Sequence, residues 1–434
     1  MIIKRNLLNV IEPFLKRKEF ISIVGPRQSG KTTFLNILRD YLIENGIEED
    51  NINIITFENR KLLSQFEKNP VDFIKSYINK HEDKTIYFML DEFQYVKEGG
   101  QKLKLIYDTV ENVKVIITGS SSLELKAEVG KYMVGRLLTF HLYPFNFQEV
   151  LRSRDRRFEN IYKNEHNKIL DKVFNKKDIK IKNGKDNFVN EMVEIYENYC
   201  IWGGYPMVAL SQNKAEKEKV LTDIFNNYIL KDVKGLLELT TDENLLTLAR
   251  HLAAQIGNTV VWQNLGQKSK LNFKQLKKHV KILEETFICQ RIKPFFKNRQ
   301  KELVKNPKIY FIDPGFRNNL TENSAPLDRR SDSGFVVENS VFIQLMQLVE
   351  RISGRMNFWR KKSGPEVDFI IRNEGKVIPV EIKFSSFSEP KLSSSFISFI
   401  NSYKPELGLI LTKDFWGEIE KNSTKIVFAP VYYM

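Results

Sequence analysis

Residues 25–32, Gly25-Pro26-Arg27-Gln28-Ser29-Gly30-Lys31-Thr32, spell GxxxxGK[ST], and no other stretch of the chain limits the fold as tightly. An apolar run, Phe20 to Val24, precedes it, and Phe34, Leu35, Leu38 and Leu42 follow at helical spacing. The predicted context is therefore strand, loop, helix. The two glycines let the backbone curl so that successive N–H groups face a phosphate chain, and the helix N-terminus adds partial positive charge. Lys31 would reach the β- and γ-phosphates, and the Thr32 hydroxyl would bind Mg²⁺. A chance match to four fixed positions in a chain of this length arises roughly once or twice in a hundred sequences. Gly25, Pro26, Arg27, Gln28, Ser29, Gly30, Lys31, Thr32 and Thr33 are the expected nucleotide contacts, with ATP and Mg as cofactors.

The segments around the loop support that reading. Ile52-Ile54-Phe57, Ile86 to Leu90 and Val113 to Ile117 are further short apolar runs separated by helical patterns, as in a parallel sheet covered on both faces. Ile86–Leu90 ends in Asp91-Glu92, where ligands bind in a doubly wound sheet. Asp91 would hold Mg²⁺ directly or through water, and Glu92 would polarise the attacking water. The next strand runs into Thr118-Gly119-Ser120-Ser121. Ser120 there is either a sensor of the γ-phosphate or part of a plain turn. Gly135-Arg136 follows, and Arg136 is either an arginine finger, in cis or from a neighbouring subunit, or an ordinary surface arginine.

The 434 residues suggest about three domains, and 42% hydrophobic with 28% charged residues fits a globular chain. The net charge of +14 makes a polyanion a plausible partner. No apolar run reaches transmembrane length, and the N-terminal residues lack the apolar stretch of a secretory signal, so no membrane association is expected. Cys200 and Cys289 with no CxxC exclude a disulfide framework and a Cys-rich zinc site, and fit a reducing, cytoplasmic setting.

Residues 151–187 carry twelve basic and six acidic residues, which reads as a solvated insertion or linker. Residues 191–238 look helical, broken at Trp202-Gly203-Gly204-Tyr205-Pro206. Residues 242–312 read as three helices and two strands, a winged helix-turn-helix pattern. Leu276, Val280, Leu283 and Phe287 form the buried stripe of its third helix, while Lys274, Lys277, Lys278 and Lys281 project outward. From 268 to 308 thirteen basic residues face three acids, a local charge of +10, which is either a DNA-contacting surface or a merely solvated face. Trp262, Phe273, Phe295 and Phe296 read as core residues. A polar linker covers Asn323–Pro326 and Arg329–Gly334.

Beyond it, Val377 to Lys383 alternates strictly, placing Glu381 and Lys383 on one face of a strand. Asp368 enters another strand, and Glu338 lies on an apolar helix with Val337, Val341, Leu345 and Leu348. Asp368, Glu381 and Glu338 are candidate Mg²⁺ ligands, and Lys383 can position or activate water, the set that metal-assisted phosphodiester hydrolysis needs. An Asp followed by ExK occurs by chance about once in a chain this rich in Lys and Glu.

The motifs GPRQSGKTT, LDEFQ, TGSSS, VGR with LYPFNFQEV, WGGYP, NYILKDV, IYFIDPGFRN, GFVVEN, EVDF and VEIK span nearly the whole chain. On them the chain resembles the prokaryotic, especially archaeal, AAA-type P-loop ATPases that carry a C-terminal PD-(D/E)xK nuclease-like domain. The resemblance implies an α/β fold: a parallel-sheet AAA-type core (1–150), a basic charged insertion (151–190), a helical lid (191–238), a winged helix (239–325) and a restriction-endonuclease-like domain (331–434). It implies a sensor role for Ser120, a finger role for Arg136 and a nuclease site of Glu338, Asp368, Glu381 and Lys383. The charged stretch 151–187 and Phe316 in DPGFRN depart from the family pattern. The expected function is an Mg-dependent ATPase acting on or bound to DNA, as a monomer or homo-oligomer. The alternative is an ATP-controlled switch or scaffold that binds a protein partner and retains an inactive nuclease-like fold.

Overall fold

A computed structural model describes residues 2–78, 84–120, 129–175, 177–227, 243–296, 305–361 and 364–434. Ser121, most of NYILKDV, and Lys176, Lys297, Arg299 and Lys301 of the basic stretches lie outside the described residues. The chain divides into two compact units, one of residues 1–144 with 281–288, the other of residues 145–280 with 289–434.

The first unit is built on five parallel strands, β1 (Phe20–Val24), β2 (Ile52–Thr56), β3 (Ile86–Asp91), β4 (Val113–Gly119) and β5 (Leu137–His141), in the order β2-β3-β4-β1-β5. Every residue of β1 and β3 is buried, which is why these strands read as unbroken apolar runs. The helix Lys31–Glu44 returns from β1 and packs Phe34, Leu35, Leu38 and Leu42 against Ile21, Ile23 and Met89. The expected strands appear as β1 to β4. β5 has no fully buried residue, and it carries no such run.

The second unit holds a mixed eight-stranded sheet of β6 (Cys289–Pro294), β7 (Lys308–Phe311), β8 (Arg355–Arg360), β9 (Glu366–Asn373), β10 (Lys376–Lys383), β11 (Leu407–Thr412), β12 (Gly417–Lys421) and β13 (Thr424–Pro430), ordered β12-β13-β11-β10-β9-β8-β6-β7. β10, β11 and β13 are parallel neighbours, whereas β8, β9 and β10 form an antiparallel meander. Phe396, Phe399 and Ile400 of the helix Ser394–Tyr403 pack on Val367, Ile370, Ile410, Ile426 and Phe428. The helix Ser333–Arg351 buries Val337, Val341, Leu345 and Leu348, and its Phe342 stacks on Tyr310 with ring centroids 4.7 Å apart. Three helices, Glu243–Ala254, Trp262–Ser269 and Phe273–Glu285, precede the antiparallel hairpin β6–β7 in the predicted order. β6 also pairs with β8 through Lys293 and Pro294, so the sheet runs across the boundary expected between 325 and 331.

Two segments expected to be solvated are packed. Arg156–Val173 is an 18-residue helix that buries Tyr162, Ile169 and Val173. Its Tyr162 hydroxyl donates to the Met434 carbonyl at 2.6 Å, and Lys172 pairs with Glu418 at 2.9 Å. Trp416 Nε1 donates to Asp186 at 3.0 Å. The charges in this stretch sit around an apolar stripe rather than replacing it. In the second polar segment, Leu327 and Arg330 are buried.

The WGGYP and DPG motifs meet each other. Phe145 N–H donates to Gly204 O at 2.6 Å, and Gly204 N–H donates to Asp313 Oδ2 at 2.7 Å. A Cβ on Gly204 would fall 1.9 Å from Phe145 O, so this approach requires glycine. Burial pushes the Asp313 carboxyl up to about 6, against the pull of the backbone N–H groups of Gly204, Phe316, Gly315 and Tyr205. Among the described residues no helix is long and apolar enough to cross a membrane.

Candidate functional site

The GxxxxGK[ST] loop joins β1 to the helix Lys31–Glu44, and Gly30 caps that helix with φ 91°. A Cβ on Gly25 would lie 2.1 Å from Leu142 O, so the loop entry also demands glycine. Pro26 is buried and Arg27 half-buried, while Gln28, Thr32 and Thr33 are exposed. Arg5, buried, braces the loop by donating to Ser29 O at 2.8 Å and Tyr143 O at 2.5 Å. The Lys31 ammonium donates to Gly25 O and Pro26 O, both at 3.0 Å, and so sits over the curl. Ser29 Oγ is buried with no hydrogen-bond partner among the described residues. A buried hydroxyl of that kind fits a loop shaped for a phosphate oxygen.

The neighbouring strand ends complete the site. Thr32 Oγ1 donates to Asp91 Oδ2 at 2.7 Å, and Thr118 Oγ1 donates to the other carboxylate oxygen. Thr32 and Asp91 therefore place two hard oxygens side by side, a donor set that suits Mg²⁺. Glu92 adopts φ 56°, sparsely populated for a side-chain-bearing residue. Its N–H donates to Thr118 Oγ1 at 3.1 Å, and its carboxylate accepts from Gln94 Nε2. Gln94 Nε2 also lies 3.4 Å from Ser120 Oγ. Gln94 thus joins Glu92 to Ser120, a link visible in the sequence only as the last letter of LDEFQ.

Arg136 is not part of this cluster. β5 runs parallel to β1, with Leu137 beside Phe20 and His141 beside Val24. Arg136 therefore begins β5 at the end of the sheet opposite the loop, one strand length or about 16 Å away. It pairs there with Asp108 at 3.4 Å and lies over the Tyr107 ring. In this register Arg136 lies at the far end of the sheet from its own loop.

In the second unit the four expected nuclease-type residues do come together. Ile382 N–H donates to Asp368 Oδ2 at 2.7 Å. Glu381, 2% exposed, accepts from Ser393 Oγ at 2.7 Å and pairs with Lys383 at 2.9 Å. Burial, and next the charge of Glu338, hold the Asp368 carboxyl well above the usual carboxylate range. Lys383 would be lowered by burial, but Glu381, Asp368 and Glu338 raise it. Three further residues enter the cluster, Lys308, Glu366 and Tyr310. Lys308 of β7 pairs with Glu338 at 3.2 Å and with Glu366, and the Tyr310 hydroxyl donates to the same Glu338 oxygen. Among the described residues no group of three or more His, Cys, Asp or Glu side chains is arranged to hold a metal ion. In this cluster Asp368 Oδ2 accepts from Ile382, Glu381 is engaged by Ser393 and Lys383, and Glu338 is engaged by Lys308.

On the helix Phe273–Glu285, Lys274, Lys277, Lys278 and Lys281 are exposed, whereas Leu276, Val280 and Leu283 are buried. Phe295 is buried as expected, but Phe273 is 58% exposed, and Lys277 Nζ lies 4.2 Å from its ring centroid. With Val261, Trp262 and Leu271 it lines an open cavity of about 600 Å³. Lys308, one of the thirteen bases of the 268–308 stretch, is buried and takes no part in that face.

An uncharacterized protein of Haemophilus influenzae is 25% identical to this chain, covering 99% of it and 98% of the relative. Another, of Methanocaldococcus jannaschii, is 21% identical over 82% of this chain and 72% of its own. Among solved structures, the Walker-type ATPase of Pyrococcus abyssi aligns with a TM-score of 0.44 at 15% identity, covering 74% of this chain and 96% of that one. Residues 193–327 match a family described as a domain of unknown function, DUF8612, and residues 333–429 match another, DUF4143. Residues 17–151, which carry the GxxxxGK[ST] loop, match the family described as an AAA domain.

Proposed function

We propose that the protein is an Mg²⁺-dependent ATPase that acts on or bound to DNA and carries a C-terminal nuclease-like domain. The observation that carries the ATPase reading is the 2.7 Å bond from Thr32 to Asp91 beside the Lys31 ammonium. In use, Lys31 and the loop N–H groups hold the phosphates; Thr32 and Asp91 would hold Mg²⁺, which would supply positive charge beside the phosphoryl oxygens. Glu92 orients the attacking water, and Gln94 and Ser120 fix the carboxylate that does so. Arg136, remote from its own loop, serves the site of a neighbouring copy if it acts as a finger. The exposed lysines of the helix Phe273–Glu285 supply phosphate contacts in a winged-helix module.

A second reading, an ATP-controlled switch or scaffold with an inactive nuclease-like fold, is favoured by one observation, the ammonium of Lys308 within the carboxylate cluster. The ATPase reading is tested by Lys31→Ala and Glu92→Gln. The first variant is expected to lose ATP binding. The second is expected to bind ATP with hydrolysis reduced by about 10²-fold or more. Normal turnover in both overturns the assignment.

A further inference from the structure

Lys308 begins strand β7, opposite Ile292 of β6. Its side chain is 1% exposed. The ammonium meets Glu338 on the helix Ser333–Arg351 and Glu366 at the start of β9, and lies 5.4 Å from the Phe358 ring centroid. Arg360 approaches Glu366 at 3.6 Å, and Lys383 holds Glu381 at 2.9 Å. Four carboxylates, Glu338, Glu366, Asp368 and Glu381, thus face three cationic side chains. A metal ion approaching Glu338 would meet a buried ammonium already held between Glu338 and Glu366, with no exit to water. A buried lysine shared by two carboxylates ties three elements together, its own strand β7, the helix Ser333–Arg351 and β9.

We propose that Lys308 is the resident cation of this cluster, that the wild-type protein takes no divalent ion there, and that the C-terminal domain does not cut DNA by metal-assisted hydrolysis. The inference rests on reading that domain as nuclease-like in fold. The cluster then works as a tie: one ammonium joins β7 to the helix Ser333–Arg351 and to β9. Removing Lys308 would leave Glu338 and Glu366 without their buried cation, and these hard oxygens, with Asp368 and Glu381 nearby, would then gain from closing around a divalent ion.

The test is Mn²⁺ binding to the nucleotide-free, full-length protein, followed by electron paramagnetic resonance, with DNA cleavage measured on the same samples. Wild type is expected to show no Mn²⁺ site that disappears in Asp368→Asn, and no cleavage. Lys308→Met is expected to bind Mn²⁺ at least about tenfold more tightly than wild type, and to lose the gain when Asp368→Asn is added. Should Lys308→Met fail to fold, the charge-balanced double variant Lys308→Met with Glu366→Gln takes its place. A wild-type Mn²⁺ site that depends on Asp368 overturns the proposal and leaves the nuclease-like reading standing. Absence of Mn²⁺ from both wild type and a folded Lys308 variant overturns the proposal and the nuclease-like reading together.

Discussion

Arg317 and Arg330 are 2% and 7% exposed, and both guanidinium groups end on Asp332, at 2.7 Å and 2.6 Å. Burial alone would raise this carboxyl, but its hydrogen bonds from Arg330 and Arg317 more than reverse that and hold it at about 2. Its folded pKa therefore lies below the unfolded value of about 3.9. The stabilisation is present above pH 4 and is lost as pH falls through 2. All four tryptophans, Trp202, Trp262, Trp359 and Trp416, belong to the second unit, so their fluorescence follows its unfolding. The denaturation midpoint of that unit is expected to fall between pH 4 and pH 2, and Asp332→Asn is expected to flatten the fall. The variant should also lose on the order of 2 kcal/mol at pH 7, because two buried guanidinium groups lose their shared carboxylate at a partly exposed site. An identical pH dependence in both proteins would contradict this account. None of this is legible in the sequence, where Arg329–Gly334 reads as a polar linker.

At the scale of elements, legibility follows the range of the interactions. The strands β1 to β4 and the loop announce themselves because apolar runs and GxxxxGK[ST] are local patterns. The helix Arg156–Val173 is hidden by its charges, although Tyr162, Ile169 and Val173 mark one face. The link from Lys308 to Glu338 spans 30 residues and leaves no local trace. Phe273 reads as core because it is aromatic, yet it stands outside with Lys277 over its ring. The helix that bears it carries a prediction. Replacing Lys274, Lys277 and Lys278 by Ala is expected to weaken duplex binding and to flatten the log–log salt dependence by about 0.9 for each phosphate no longer neutralised. An unchanged slope in a salt titration would show that the face is only solvated.

For the whole molecule, each unit is assembled around its own sheet, and the chemistry sits where strand ends converge. The phosphate loop, Asp91, Glu92 and Ser120 all lie at the C-terminal ends of β1, β3 and β4, as an open parallel sheet requires. Glu338, Asp368 and Glu381 meet from one helix and two strands of the other sheet. The sequence resemblance locates both sets, but only the side-chain geometry shows that a lysine has entered the second. We propose that ATP turnover in the first unit is coupled to DNA bound by the exposed lysines of the helix Phe273–Glu285. The most direct test of this coupling is the steady-state ATP hydrolysis rate of the wild-type protein against single-stranded, duplex and branched DNA. The account predicts stimulation by at least one of these, with the stimulated increment lost in the Lys274, Lys277 and Lys278 triple alanine variant and the basal rate retained. A rate unchanged by every DNA would contradict it.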